Sequence, residues 1–140
     1  MIQSKKVFIT ASVMFAFVDR AHPRYEQASA YFRYFSEKEY TLFTDSLNIV
    51  ETYNQIYKDI SPSLAKDFLR TIALSGINVI YHDALDSKAA LKALVNFKST
   101  ELTYPQALMQ VLAERRGVPQ IYTFEYIPFL FGLSQFYLPI

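Results

Sequence analysis

The sequence contains no cysteine among its 140 residues. This absence excludes a disulfide scaffold, a thiolate zinc site and a cysteine nucleophile, and it fits a cytoplasmic protein. Net charge is also nearly absent, because 14 basic residues are set against 13 acidic ones and leave a formal charge of +1. Net charge alone therefore gives no reason to expect a nucleic-acid partner, although a local basic patch would not show in this balance.

A long hydrophobic run is missing as well. The longest apolar-rich stretch, residues 127–140, is too short to cross a bilayer and is interrupted by Pro128, Gly132 and Pro139. Residues 1–6 lead directly into a short predicted strand and lack the pattern of a signal peptide. We therefore expect a soluble cytoplasmic protein with no membrane partner.

The chain does contain enough apolar residues to form a core. Apolar residues make up 51% of the sequence and charged residues only 19%, a balance that disordered chains do not have. A chain of this length buries roughly 68–70% of the surface that its unfolded state exposes. No internal repeat, low-complexity tract or linker divides it, so we expect residues 1–140 to form a single domain.

Short apolar segments alternate with segments of helical spacing along the chain. The predicted strands are residues 5–11, 40–44, 77–81 and 120–124. The first predicted helix starts at residue 12. Five more are predicted: 24–38, a helix from a cap at 45–46 to 58, one from 61–62 to 76, 83–97, and one from a cap at 103 to 117. This alternation predicts a three-layer α/β/α fold with a mostly parallel sheet of four or five strands. Residues 77–81 have the pattern of a fully buried parallel strand.

The end of the first strand is where the chemistry of such a sheet is expected. In open α/β sheets, ligands bind at the carboxyl ends of the strands. The first strand ends in Thr10 and Ser12 rather than in a carboxylate. Two interpretations of these hydroxyls are open: they orient a phosphate or a water molecule, or they are small residues at a tight strand exit.

Four stretches carry a family resemblance in their order and spacing. They are VFITASVMFAFVDR, PRYEQASAYF, LFTDSLNIVETYNQIY and LTYPQALMQVLAERRGVPQIYTFE. The sequence resembles a PIN domain of the VapC-type toxin branch. The resemblance implies an α/β/α nuclease fold in which acidic side chains at the carboxyl edge of the sheet hold Mg²⁺ or Mn²⁺ and cut RNA.

The resemblance also places the site residues on this sequence. The acid that ends the first strand falls on Thr10, with Ser12 at the neighbouring hydroxyl position, and the acid of the third helix falls on Glu51. The acid that opens the last helix falls on Gln106, and the acid after the fourth strand falls on Glu125. These residues are the predicted catalytic set, and Glu51 and Glu125 are its predicted metal ligands.

A hydroxyl and an amide thus stand where the resemblance implies two carboxylates. Mg²⁺ and Mn²⁺ favour carboxylates and water, and the ion must polarise the phosphate and activate a water molecule. Thr10 and Gln106 offer oxygen without charge and would be poor general bases. We expect a PIN-like protein that is impaired in catalysis and acts by binding RNA or protein, with Mg²⁺ or Mn²⁺ as its cofactor if it is active and otherwise none. The alternative is an active Mg²⁺- or Mn²⁺-dependent endoribonuclease of a toxin–antitoxin system.

Several of these polar residues also have a purely structural interpretation. Glu51 could be a solvated charge near the start of its helix. Asp45 is either a substitute for a lost acid or the N-cap of the third helix, and Gln106 is either a site residue or part of a capping box. Arg115 and Arg116 either complement the dipole of their helix or contact RNA.

The C-terminal segment is the remaining candidate for a functional surface. Its large apolar residues are Tyr126, Phe129, Leu130, Phe131, Leu133, Phe136, Tyr137 and Leu138. A small domain does not easily bury so much apolar surface, and exposed apolar patches mark contacts. The segment predicts a homodimer or a partner interface, and a structural or assembly role is a third functional alternative. The expected partners are RNA, an antitoxin-like protein and a second copy of the chain.

Overall fold

Parallel pairing joins the five strands in the part of the chain that the computed structural model describes, residues 5–96, 102–127 and 133–137. The strands are β1 (Lys6–Ile9), β2 (Thr41–Asp45), β3 (Asn78–Ile80), β4 (Gln120–Tyr122) and β5 (Ser134–Gln135). Their order across the sheet is β3-β2-β1-β4-β5. The predicted parallel α/β sheet is confirmed.

Helices cover both faces of this sheet. They are α1 (Ala11–Val18), α2 (Tyr25–Glu37), α3 (Ser46–Asp59), α4 (Pro62–Leu74), α5 (Ala84–Asn96) and α6 (Tyr104–Arg115). Successive side chains of β1 point to opposite faces: Val7 and Ile9 pack with α1 to α4, whereas Phe8 packs with α5 and α6. All three side chains are fully buried. The arrangement has three layers, as predicted, and β1 lies at its centre.

The third strand differs from its prediction. Residues 77–81 have the composition of a fully buried strand, but β3 lies at the edge of the sheet. Asn78 is exposed, and Tyr81, just beyond the strand, is 73% exposed. The prediction of full burial is wrong because an apolar run does not reveal whether a strand has neighbours on one side or on both.

The predicted helix boundaries are confirmed where capping signals mark them. Ser61 Oγ accepts a hydrogen bond of 3.1 Å from the backbone amide of Leu64 at the start of α4. After the last residue of α6, Gly117 has a φ of 69°, a conformation that favours glycine and ends helices. These ends depend on local chemistry, which the sequence displays directly.

The C-terminal segment is only partly free. Phe136 is buried and packs against the rings of Tyr34, Phe35 and Tyr40, so the expectation that this segment is surplus apolar surface is wrong for Phe136. Leu133 is half-buried, whereas Tyr126 and Tyr137 are exposed. The other predicted interface residues, Phe129, Leu130, Phe131 and Leu138, lie outside the described residues. None of the helices in the described ranges combines the length and apolar composition that a bilayer crossing requires.

Candidate functional site

Three hydroxyl groups meet at the carboxyl end of β1. Ile9 pairs with Tyr122 of β4, so the next residues, Thr10 and Thr123, are neighbours. Thr10 Oγ1 donates to Thr123 Oγ1 over 3.0 Å and lies 3.0 Å from Ser12 Oγ. We call Thr10, Ser12 and Thr123 the hydroxyl cluster. It occupies the edge of the sheet where the resemblance implies a carboxylate.

The hydroxyl cluster holds the loop that follows β4. Ser12 Oγ accepts a hydrogen bond of 3.0 Å from the amide of Phe124. Thr123 Oγ1 accepts one of 3.2 Å from the amide of Glu125. Thr10 itself is fully buried. The geometry therefore agrees with the interpretation of small hydroxyl residues at a tight strand exit, and it adds Thr123, which the sequence did not single out.

Gln106 also makes structural contacts with both ends of its amide. Its Oε1 accepts from the amide of Thr103, whose Oγ1 accepts from the amide of Gln106. This reciprocal pair is the predicted capping box of α6. The Nε2 atom donates to the carbonyl of Tyr126 over 3.3 Å. Gln106 thus connects the first turn of α6 to the loop after β4.

Asp45 begins α3 as its N-cap, which confirms the structural interpretation of this residue. Its Oδ1 accepts bonds of 2.8 Å from both the backbone amide and the side-chain Nδ2 of Asn48. Asn48 Oδ1 in turn accepts a 2.7 Å bond from the amide of Ala11, so one side chain serves the start of α1 and of α3. The Oδ2 of Asp45 is buried and finds no hydrogen-bond partner among the described residues.

Three carboxyl groups influence one another across this edge. Burial raises the pKa of Asp45, although hydrogen bonds from Asn48 and the nearby His82 oppose the rise. Partial burial and then the charge of Asp45 raise the pKa of Glu51. Partial burial and then the charge of Glu51 raise the pKa of Glu125. The structure therefore places Glu51 close enough to Glu125 for its charge to raise the pKa of Glu125.

These residues do not fit the metal site that the resemblance implies. In the described ranges, no group of three or more histidine, aspartate or glutamate side chains is arranged to hold a metal ion. Thr10 and Gln106 use their oxygens in hydrogen bonds within the protein. Only the Glu51 and Glu125 carboxylates remain from the predicted set, and one or two carboxylates hold Mg²⁺ only with water and substrate phosphates.

A cavity opens beside the hydroxyl cluster. It has a volume of about 300 Å³ and is lined by Ser12, Phe15, His22, Arg24, Gln55, Phe124 and Glu125. We call it the Arg24 cavity. The guanidinium carbon of Arg24 lies 4.9 Å from the centre of the Phe124 ring, and Arg24 Nη1 donates to the carbonyl of Phe124 over 3.3 Å. No pattern in the sequence indicates Arg24, which lies 100 positions away from its partner.

Arg115 and Arg116 contact protein at the end of α6. Arg115 Nη1 lies 2.5 Å from Asp86 Oδ1, and Arg116 Nη2 lies 3.3 Å from Asp86 Oδ2. Burial alone would raise the pKa of Asp86, but the amide of Asp83 and the two guanidinium groups outweigh it and lower that pKa. These arginines join α6 to α5 through a buried carboxylate, a role that the sequence analysis did not foresee.

Comparison with known proteins identifies this architecture. The chain is similar to VapC20 of Mycobacterium tuberculosis, a sarcin-ricin loop cleaving toxin, with a TM-score of 0.74 and 20% identity over 85% of this chain and 89% of that one. The chain has a VapC-type PIN fold. It is also similar to VapBC2 of Rickettsia felis bound to a promoter DNA fragment, with a TM-score of 0.68 and 15% identity over 93% and 96% of the two chains.

A third solved structure shares the PIN fold at still lower identity. FitAcB of Neisseria gonorrhoeae matches with a TM-score of 0.65 and 8% identity over 94% of this chain and 96% of that one. No family model and no curated protein matches the sequence. The sequence resemblance therefore predicted a fold that overall sequence similarity does not reveal.

Proposed function

We propose that this protein is a VapC-like RNA-binding protein whose metal-dependent cleavage of RNA is impaired. The observation that supports the proposal is the bond from Thr10 Oγ1 to Thr123 Oγ1, at the position where the resemblance implies a metal-binding acid. A buried hydroxyl that is engaged in this way supplies neither the negative charge that attracts Mg²⁺ nor a base that activates water. The groove at the carboxyl ends of the strands, where the Arg24 cavity opens, is then a binding site without the set of carboxylates needed for catalysis.

A cleavage assay with designed carboxylates tests this proposal. Wild-type protein is incubated with a structured RNA and Mg²⁺ or Mn²⁺, beside the double variant Thr10→Asp, Gln106→Asp. We expect no cleavage by the wild type and metal-dependent cleavage by the double variant, because the change restores charge at both neutral positions. The control, Thr41→Asp, adds a carboxylate at the exposed start of β2, which lies at the amino ends of the strands and away from the site. Thermal melting shows whether each variant is folded.

An active ribonuclease is the second candidate, because Glu51 and Glu125 lie close enough for Glu51 to raise the pKa of Glu125. Such a carboxylate pair is the remaining place where Mg²⁺ or Mn²⁺ would bind. Metal-dependent cleavage by the wild type that disappears in Glu51→Gln would establish this candidate and overturn the proposed impairment. If neither the wild type nor the double variant cleaves RNA, both candidates are contradicted. The active ribonuclease requires cleavage by the wild type, and the proposed impairment requires cleavage by the double variant.

An antitoxin-like protein is the proposed protein partner, and an apolar groove supports it. The groove lies between α1, α2 and α4, has a volume of about 520 Å³ and is lined mainly by apolar side chains, among them Met14, Phe17, Phe32, Leu64 and Phe68. An amphipathic helix binds such a groove through its apolar face. The likeness to VapBC2 and FitAcB supports an apolar segment of an antitoxin-like protein as the occupant.

Calorimetric titration with a synthetic helix from a candidate antitoxin tests this partner. Phe17 is partly exposed in the groove, and we expect Phe17→Lys to weaken binding at least about tenfold, as removal of a buried anchor does. Leu91→Lys is the matched control, because Leu91 is an exposed apolar residue of α5 on the other face of the sheet. Equal affinities of the two variants would exclude the groove as the binding site.

A homodimer is proposed at the face formed by α3, α4 and β3. Val50, Leu69 and Tyr81 are exposed apolar residues around a second cavity on this face. Exposed apolar patches of this kind mark contacts between proteins. Light scattering should give the mass of a dimer for the wild type and of a monomer for Tyr81→Lys. A monomeric wild type would contradict the proposal.

A further inference from the structure

Arg24 is held in place at the mouth of the Arg24 cavity. Its backbone amide donates to His22 Nδ1 over 3.0 Å, its Nη1 donates to the carbonyl of Phe124, and its guanidinium lies over the Phe124 ring. These contacts fix the backbone and the guanidinium of a residue that is otherwise exposed. A guanidinium that is fixed in this way loses less conformational entropy when it binds a ligand.

The remaining donors of Arg24 have no acidic partner. Among the described residues no carboxylate forms an ion pair with Arg24, whereas Arg70, Arg115 and Arg116 each have one. His22 accepts a hydrogen bond at Nδ1, so its neutral ring carries the proton on Nε2 and is a donor there. The cavity thus offers N–H groups from two side chains and the positive charge of Arg24, while the carboxylate of Glu125 is the acidic group of the same lining.

The chemistry of this cavity suits a phosphodiester. The planar fork of arginine matches the geometry of phosphate oxygens. Phe124 lines the same cavity and is only half-buried, and aromatic side chains stack on the bases of single-stranded nucleic acid. Arg24 is the side chain that brings positive charge to the lining of this cavity.

We propose that Arg24 binds a phosphate of single-stranded RNA in the Arg24 cavity without a metal ion. This inference rests on the proposed function, because it assigns RNA to the same groove. An acidic peptide is the competing anion, but it has no base to stack on the ring of Phe124. Arg24 is therefore a binding residue of the groove, and Phe124 positions it.

Fluorescence anisotropy with a labelled single-stranded RNA oligonucleotide tests the inference, with EDTA present and potassium chloride varied from low to moderate concentration. Arg24→Met should weaken binding about tenfold, as loss of an arginine contact does, and should reduce the salt slope by about 0.7, the value for one phosphate on a single strand. Arg24→Lys should recover only part of the affinity, because lysine lacks the planar fork.

Arg33→Met is the matched control, because Arg33 is an exposed residue of α2 that does not line the Arg24 cavity. It should change the affinity less than twofold, and the melting temperature of each variant shows whether the protein is folded. If Arg24→Met and Arg33→Met bind RNA equally well, the inference is wrong while the proposed function stands. If the wild type binds no RNA with or without Mg²⁺, the proposed function itself is wrong.

Two further outcomes would overturn the inference in other ways. Binding that requires Mg²⁺ would contradict the metal-free contact. Competition by polyglutamate as effective as competition by unlabelled RNA would show that the cavity accepts any anion, and that base stacking contributes nothing. Selective competition by RNA, together with loss of affinity in Arg24→Met, supports the proposal.

Discussion

Thr10 Oγ1 donates a hydrogen bond of 3.0 Å to Thr123 Oγ1, joining residues that are 113 positions apart in the chain. Neutral contacts thus stand at the carboxyl end of the central strand, where the resemblance implies a charge. Ser12 completes the hydroxyl cluster, which holds the amides of Phe124 and Glu125. This network of neutral hydrogen bonds holds the end of β1 against the loop after β4 without a cation.

The hydroxyl cluster should contribute to stability. Thr123→Val keeps the shape of the side chain but removes two hydrogen bonds, the one from the Thr10 hydroxyl and the one from the amide of Glu125, and leaves Thr10 with Ser12 as its hydroxyl partner. Loss of a hydrogen bond costs about 0.5–1.5 kcal/mol, so loss of both should lower the free energy of unfolding by about 1–3 kcal/mol in urea titrations. The exposed Thr71→Val is the control, and a loss no larger than the control's would show that the cluster is energetically unimportant.

Asn48 should be one of the polar residues to which stability is most sensitive. Its side chain connects the N-cap of α3 to the amide of Ala11. Asn48→Ala should lower the free energy of unfolding by about 1–3 kcal/mol, because Ala11 then has an unpaired amide and the buried Asp45 carboxylate loses a donor. Chemical denaturation should show a much smaller effect for Asn54→Ala, since Asn54 is an exposed residue of the same helix.

Gln106 is expected to matter through its helix cap. Gln106→Ala removes half of the capping box and should destabilise the protein by about 0.5–2 kcal/mol, the range for helix caps. Gln106→Glu retains the acceptor for the amide of Thr103 and should restore most of that loss. Thermal unfolding compares the variants; a Glu variant as unstable as the Ala variant would argue against a capping role.

The buried carboxylate of Asp45 predicts a pH dependence of stability. Its pKa is raised above the ordinary value of 3.8, so the ionised form costs stability in full above the raised pKa. As the pH falls through that pKa towards 3.8, the folded state takes up a proton before the unfolded chain does, and the cost disappears. The nearby His82 opposes the rise in the pKa of Asp45, and the charge of Asp45 in turn raises the pKa of Glu51.

Comparison with Asp45→Asn isolates this effect. The wild type should gain stability relative to Asp45→Asn as the pH is lowered from 7 towards 4, by about 1.4 kcal/mol for each unit by which the pKa is raised. Urea titrations at several pH values measure the difference. A difference that stays constant over this interval would mean that Asp45 has an ordinary pKa.

Much of the fold could be predicted because its signals are local or periodic. The apolar run of β1, the cap at Asp45 and the glycine at position 117 each act through neighbours in the chain. The edge position of β3 and the burial of Phe136 could not be predicted, because both depend on which elements lie beside them in space.

The site shows the same division. The sequence predicted that Thr10 and Gln106 stand at acidic positions, and the capping alternative for Gln106 was visible in its spacing from Thr103. The contacts of Thr10 with Thr123 and of Arg24 with Phe124 span about a hundred residues. The register of β1 against β4 brings Thr10 to Thr123, and the position of the start of α2 beside the loop after β4 brings Arg24 to Phe124. No local pattern could reveal either contact.

Titration with Mn²⁺ in a calorimeter tests the central claim most directly, that the PIN fold of this chain keeps its groove but lacks a working metal site. The account predicts no saturable binding heat for the wild type at millimolar Mn²⁺, and saturable binding by the Thr10→Asp, Gln106→Asp double variant. Saturable binding by the wild type that disappears in Glu51→Gln would contradict it.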